Sequence, residues 1–186
     1  MFTVVIAADS EEEQLARTLA ALVPAVAEGV VRDAVVIDTG GLPGIAAVAS
    51  AAGCRHVAGS PAQGLAEALA GGRGAWVLML RPGVMLEVGW FREAAEFVER
   101  TEAAGAAATT CAAFSYASLD YRAGGRVREV WRFVAGNLLG AVLAEQALII
   151  AKTSLMRMGP HSLASLPPRK PAGSRLVILR AKAFAP

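Results

Sequence analysis

The chain has 186 residues, 55% of them hydrophobic, and its 18 basic and 16 acidic side chains give a formal net charge of +2. A chain of this length and apolar content can bury the core of one compact domain. The near balance of charge argues against a nucleic-acid partner, because nucleic-acid binding usually requires a concentrated basic face.

Strand and helix patterns alternate through the first hundred residues. The apolar run at 2–8 has the composition of a central parallel strand that is buried on both faces. Asp9 or Ser10 can cap the helix that follows, whose first turn is acidic. The other elements predicted in this half are strands at 34–38, 54–58 and 75–80 and helices at 45–52, 63–70 and 89–100. This order predicts an α/β fold, a three-layer α/β/α sandwich with a mostly parallel sheet.

The pattern changes after Ala104. The elements predicted here are strands at 107–116, 147–150 and 176–179, a turn at 122–126, a long helix at 127–143 and a loop at 161–174. The stretch from 130 to 151 is mostly apolar, but polar and charged residues interrupt it. It therefore falls short of the roughly 20 apolar residues of a membrane span, and a buried or interfacial helix is preferred.

Cys54 and Cys111 lie far apart in apolar runs, without the spacing of a metal site or of a required disulfide. They are expected to be reduced core thiols. The first residues lack the basic segment of a signal peptide. These features predict a cytoplasmic protein, and peripheral contact with the inner membrane stays open as an alternative.

Candidate ligand-binding residues follow the predicted strands. Open parallel sheets bind ligands beyond the carboxyl ends of their strands, and Asp9, Asp38 and Arg81 stand at three such ends. Asp38 can accept hydrogen bonds from a ribose or a base edge, or it can be a turn-forming residue. The turn after the first strand lacks the glycines of a dinucleotide site, and three acids follow it. His56 has no acid or cysteine at ligand or triad spacing and is expected to be a structural residue.

Several segments in combination resemble a known family. The sequences VVIDTGG at 35–41, RGAWVLML at 73–80 and GW at 89–90 are similar to family 2 glycosyltransferases of the GT-A fold, especially to short bacterial members. The resemblance covers about the first hundred residues. It implies a single GT-A-like domain over 1–186, with a nucleotide-binding half at 1–104 and an acceptor-side half with an irregular tail at 105–186. The implied reaction transfers a sugar from a nucleotide-sugar donor.

The resemblance also implies roles for individual residues. It places Ala8, Asp9 and Asp38 near the nucleoside, and Arg73 begins an Arg-Gly pair that precedes the fourth strand. A later acid-Gln pair on the acceptor side corresponds to Glu145 and Gln146. Glu145 is therefore the candidate catalytic base, and Gln146 is a candidate substrate-binding residue.

The chain departs from the family pattern at the metal site. The metal-binding Asp of the family falls on Pro82-Gly83, and the later acidic pair falls near 163–170, where the sequence has no acid. No metal or other cofactor is therefore predicted. A leaving nucleoside diphosphate develops negative charge that a cation normally stabilises. One hypothesis is that Arg81, aided by Arg169 or Lys170, supplies that positive charge and permits metal-independent binding. The alternative is that Arg81 is a solvated turn residue.

Two other functions remain open from the sequence. A catalytically inactive relative would keep the fold as a binding or assembly module, with the apolar stretch at 131–150 facing a homodimer partner or a membrane surface. A nucleotidyltransferase acting on sugar phosphates would open with a glycine-rich loop and a basic residue. The acidic run at 9–13 argues against that function.

Overall fold

The computed structural model of the chain describes residues 1–9, 12–118, 147–158 and 173–185. The strands in these ranges are β1 (Phe2–Ala8), β2 (Val31–Asp38), β3 (Arg55–Ala58), β4 (Trp76–Leu80), β5 (Met85–Leu86), β6 (Thr110–Ser118), β7 (Leu148–Ala151) and β8 (Arg175–Ala185). The helices are α1 (Glu12–Ala27), α2 (Pro43–Ala51), α3 (Pro61–Gly71), α4 (Trp90–Ala103) and α5 (Lys152–Arg157). The strands form one eight-stranded sheet in the order β3-β2-β1-β4-β7-β6-β8-β5.

The sheet is mixed but mostly parallel. Strands β1 to β4 are parallel where they pair, and so are β6 and β8. Strand β7 runs antiparallel to both β4 and β6, and β5 runs antiparallel to β8. Helices α1, α2 and α4 pack on one face of the sheet, and α3 and α5 pack on the other. The predicted α/β/α sandwich is confirmed.

The apolar runs become central strands because both of their faces are covered. All five residues of β4 are buried, and so are six of the seven residues of β1. Such strands read as continuous hydrophobic runs rather than as alternating patterns. On one face, α3 packs so closely that a Cβ at Gly64 would collide with the side chain of Ile37. Ser60 starts this helix with a capping box to Gln63, and Pro61 follows at its first position.

Some sequence-based boundaries were wrong. The short strand β5 and the helix α5 were missed, and β8 continues to Ala185 instead of ending at 179. Strand β6 begins at Thr110, three residues later than predicted. The predicted turn at 122–126, the helix at 127–143 and residues 161–172 of the predicted loop lie outside the described residues. Within the described ranges, no helix is long and apolar enough to cross a membrane.

A bulge explains the unexpected length of β8. In the pairing with β6, the partner changes from Leu179 to Lys182 across one step, so that Arg180 and Ala181 are extra residues. Their backbone N–H groups donate to the carboxylate of Glu93 on α4, at 2.9 and 2.7 Å. Because the acceptor lies on a distant helix, local sequence gives no sign that the strand can continue through this point.

Candidate functional site

The carboxyl ends of β2, β1 and β4 lie side by side at one edge of the sheet. Asp38 is in register with Ala8, and Ile6 is in register with Leu80, the residue before Arg81. Neighbouring strands are about 4.8 Å apart, so the backbones of Asp38 and Arg81 lie roughly 10 Å apart across β1. The structure therefore brings together four of the predicted site residues, namely Ala8, Asp9, Asp38 and Arg81.

Asp38 is held by contacts within the protein. Its side chain is only 2% exposed. One carboxylate oxygen accepts the backbone N–H of Gly40 at 3.1 Å and that of Gly41 at 2.7 Å. The other oxygen lies 3.2 Å from Nε2 of His56. Asp38 thus combines the turn-forming role that the sequence left open with a hydrogen bond to a histidine.

These contacts decide the charge of Asp38. Burial, the strongest single influence, acts to raise its pKa. The hydrogen bond with His56 and the backbone N–H groups of Gly41, Leu42 and Gly40 together outweigh burial and hold the pKa of Asp38 below its ordinary value. Hydrogen bonds to the charged form of a carboxyl have this effect in general. Asp38 is therefore a carboxylate at neutral pH.

His56 is the functional candidate that sequence reasoning missed. The sequence shows no acid at ligand or triad spacing from His56, yet the folded chain brings the carboxylate of Asp38 to its ring. Only the strand register reveals this contact. His56 on β3 pairs with Val36 on β2. Asp38 lies two residues after Val36, so its side chain is on the same face of the sheet as that of His56. The side chain of His56 is 28% exposed. Between the two partners, His56 is therefore the one that can reach a ligand.

The turns after β1 and β2 pack tightly against each other. Thr39 donates both its backbone N–H and its hydroxyl to the carbonyl oxygen of Ala8, at 2.9 and 3.2 Å. Gly40 lies so close to Asp9 that an added Cβ would be 2.5 Å from the Asp9 carbonyl oxygen. The carboxylate of Glu12 lies against Gly44 in the first turn of α2, where the helix dipole favours negative charge. This region of the edge is therefore compact and acidic.

The turn after β4 is fixed to α1. The N–H of Gly83 donates to the hydroxyl of Thr18 at 2.9 Å and to the carbonyl oxygen of Gln14 at 3.3 Å. Gly83 has a φ of +85°, a conformation that favours glycine. Arg81, at the start of the turn, is exposed. An anchored turn thus presents one cationic side chain beside the acidic turns of β1 and β2.

The residues of this turn do not fit a divalent cation. The turn offers a guanidinium, a proline and a glycine, whereas Mg²⁺ and similar ions take carboxylate and carbonyl oxygens. Among the residues that the structure describes, no three His, Cys, Asp or Glu side chains form a group that could hold a metal ion. The turn after β4 therefore contributes no carboxylate ligand for a metal ion.

Arg73 lies at the opposite edge of the sheet, just before β4. The guanidinium of Arg73 donates to the carbonyl oxygen of Arg32 at 2.6 Å. The backbone N–H of Arg73 donates to the carboxylate of Asp33 at 3.0 Å. Asp33 and Asp38 stand at the two ends of β2, roughly 16 Å apart by strand rise. Gly74 packs on β1, where a Cβ would collide with the backbone of Thr3. The Arg-Gly pair thus has a packing role away from the other candidates.

None of the candidate residues from the second half of the chain is covered by the structure. Glu145, Gln146, Arg169 and Lys170 lie outside the described residues. Ala147, the residue that precedes β7, is buried and has a φ of +50°. Strand β7 starts beside Met79 near the end of β4, so Ala147 lies at the same edge of the sheet as Arg81.

Comparison with known proteins identifies the fold. The chain matches no protein-family model and no curated protein sequence. It does resemble solved structures over most of its length. A crystal structure of a mycobacterial protein has a TM-score of 0.58 and 20% identity, and the match covers 99% of this chain and 65% of that chain.

Glucosyl-3-phosphoglycerate synthase from Mycobacterium tuberculosis is similar in fold as well. Its complex with phosphoglyceric acid has a TM-score of 0.57 and 22% identity, covering 88% of this chain and 62% of that chain. Its complex with Mn²⁺ and UDP-glucose has a TM-score of 0.57 and 21% identity, covering 85% and 58%. The fold is the GT-A glycosyltransferase fold. The chain spans less than two thirds of the length of each of these three structures.

The GT-A prediction is therefore confirmed at the level of the fold. Identities of 20 to 22% show the fold alone. Membership of family 2 and the assigned residue roles stay predictions, because a shared fold does not determine a shared reaction.

Proposed function

We propose that the chain is a glycosyltransferase-like protein of family 2. In this proposal, the edge formed by the ends of β1, β2 and β4 binds the nucleoside diphosphate part of a nucleotide sugar. The observation that supports this most directly is the convergence of Asp9, Asp38 and Arg81 at this edge. Ligands of open α/β sheets bind at this position. A protein with the same fold has been crystallised with UDP-glucose.

Each described residue has a distinct part in the proposal. Asp38 fixes the turn after β2 and orients His56, which meets the nucleoside through its exposed ring edge. Arg81 faces the diphosphate and balances the charge that develops on the leaving group. A guanidinium suits this task because it stays protonated and donates along two directions. Glu145 remains the proposed base for the acceptor hydroxyl, on the sequence alone.

Calorimetric titration with UDP and UDP-glucose tests the proposal. We expect binding in the presence of EDTA, and Arg81→Ala should weaken it roughly 10- to 100-fold, because a hydrogen bond to a charged group contributes about 1.5–3 kcal/mol. Arg100→Ala is the matched control, since Arg100 is an exposed arginine on α4 whose guanidinium donates to the carbonyl oxygen of Glu96 in the same helix. Equal affinities for the wild type and Arg81→Ala would contradict the role of Arg81.

A second candidate is a nucleotide-binding module without turnover. The observation that favours it is that both Asp38 oxygens are engaged within the protein, while the turn after β4 offers no carboxylate. The two candidates differ in UDP release from UDP-glucose. Binding without UDP release, over a panel of phosphorylated and sugar acceptors, would favour the module.

A further inference from the structure

A separate cavity opens at the other edge of the sheet. It has a volume of about 860 Å³ and lies between α1, α2 and the first residues of β2. This volume falls within the range of small-molecule sites, roughly 300–1,000 Å³. Arg32, on its rim, precedes Asp38 by six positions along β2, which corresponds to about 20 Å. The cavity is therefore distinct from the candidate nucleotide site.

The wall of the cavity is apolar. Leu19, Val23 and Val26 line it from α1, and Val48 lines it from α2. Val23 and Val26 are 61% and 53% exposed, although large apolar side chains on an amphipathic helix usually face the core. These two valines alone give too small an apolar surface for a stable protein interface, which needs about 800 Å² from each partner. The wall fits an acyl chain better than it fits a second protein.

The rim of the cavity is basic. It contains Arg32, Arg55 and Arg73 and a single acid, Asp33. The carboxylate of Asp33 is already used, because it accepts the hydroxyl of Thr3 at 2.6 Å and the N–H of Arg73 at 3.0 Å. In the described part of the chain, neither Arg32 nor Arg55 forms a salt bridge. Among the described residues, the rim thus carries two guanidiniums, those of Arg32 and Arg55, that are not in a salt bridge.

We propose that this cavity binds a single-chain anionic amphiphile, with the hydrocarbon chain along Val23 and Val26 and the anionic head between Arg32 and Arg55. The apolar wall and the guanidiniums of Arg32 and Arg55 are complementary to the two parts of such a molecule. Each additional methylene of the hydrocarbon chain that is buried in the cavity should increase the binding affinity about fourfold. Long chains should therefore bind well and short chains should not, while the charged head adds selectivity over a neutral molecule of the same length.

The chain contains its own reporter for the test. Cys54 lines the cavity and is half-buried, and burial raises the pKa of its thiol. Cys111 is fully buried in the core. Alkylation of Cys54 by a maleimide should proceed at mildly alkaline pH, where part of the thiol is ionised. Alkylation of Cys111 would reveal unfolding, which distinguishes protection by a ligand from damage by a detergent-like molecule.

The experiment measures the rate of Cys54 alkylation by peptide mass spectrometry, with palmitate, butyrate and hexadecanol as probes. Palmitate at ten times its dissociation constant should slow the reaction roughly tenfold. Butyrate should give no protection, and hexadecanol should protect much less than palmitate. Cys111 should stay unmodified throughout.

Variants locate the site. Arg55→Gln and Val26→Asp should each reduce protection by palmitate at least severalfold, and both positions are exposed, so that the fold should tolerate them. Arg100→Gln, a neutralisation on α4 away from the cavity, should leave protection unchanged. Failure of palmitate to protect Cys54, equal protection by hexadecanol, or full protection in Val26→Asp would overturn the proposal. So would light scattering that finds a dimer dissociated by Val26→Asp, because the occupant would then be a second copy. UDP binding is measured separately and does not depend on this result.

Discussion

Removal of the Asp38 carboxylate is the sharpest test of how the candidate site is built. Asp38→Ala deletes the acceptor of the Gly40 and Gly41 N–H groups and the partner of His56. Asp38→Asn keeps an oxygen acceptor for the two glycines but removes the charge. The two variants therefore separate the shape of the turn from its electrostatics.

The contacts set the expected size of the effect. A hydrogen bond to a charged group contributes about 1.5–3 kcal/mol when it is buried. Gly40 and Gly41 are exposed, so water can replace part of the loss. We expect Asp38→Ala to lower the free energy of unfolding by about 2–4 kcal/mol and Asp38→Asn by about 1–2 kcal/mol. In a chain of this length, the larger loss corresponds to a decrease in Tm of roughly 5–15 °C.

Acid pH should reduce the difference between the wild type and Asp38→Asn. The folded-state pKa of Asp38 is lowered, so its charge stabilises the fold fully above the unfolded value of about 3.9. This stabilisation is lost as pH falls through the lower folded-state pKa. Urea unfolding followed by circular dichroism measures the difference in free energy of unfolding between the wild type and Asp38→Asn, at pH 7 and near pH 3. A difference that is equal at the two pH values, or absent at pH 7, would refute the electrostatic account.

Other contacts give three further tests. Gly74→Ala should lower the free energy of unfolding by about 2 kcal/mol or more, because its Cβ would collide with the backbone of β1; an unchanged urea midpoint would contradict this. Trp76→Phe should lower the free energy of unfolding by about 1–2 kcal/mol, because the 2.7 Å hydrogen bond from the indole N–H to Glu102 is lost. If Trp76→Phe has the same effect in a Glu102→Ala background, this hydrogen bond is not the cause. Glu93→Ala should speed amide hydrogen exchange at 180 and 181 while leaving β1 protected.

The sequence predicted the buried half of the fold better than the rest. Strands β1 and β4 were found because a strand covered on both faces is a continuous apolar run. Strand β5 has two residues and α5 has six, which is too short for a periodic pattern. The end of β8 was missed because the Glu93 carboxylate that satisfies its bulge comes from another element.

The candidate site was predicted in part for a similar reason. The position of a residue at a strand end can be read from the sequence, so Asp38 and Arg81 were placed at the same edge. The partner of Asp38 depends on the register between β2 and β3, which no local pattern reports. Arg73 stands before β4 rather than after it, and its bonds to residues of β2 emerge only when the strands pair.

The place of β8 in the sheet has a consequence for synthesis on the ribosome. Strand β8 is inserted between β6 and β5, although β6 and β5 are translated long before it. Until β8 emerges, β6 lacks the partner that it has on this side among the described residues, and open backbone donors and acceptors invite pairing with other nascent chains. Ribosome-stalled intermediates that end before residue 175 should therefore depend on chaperones for their solubility more than intermediates that also contain β8.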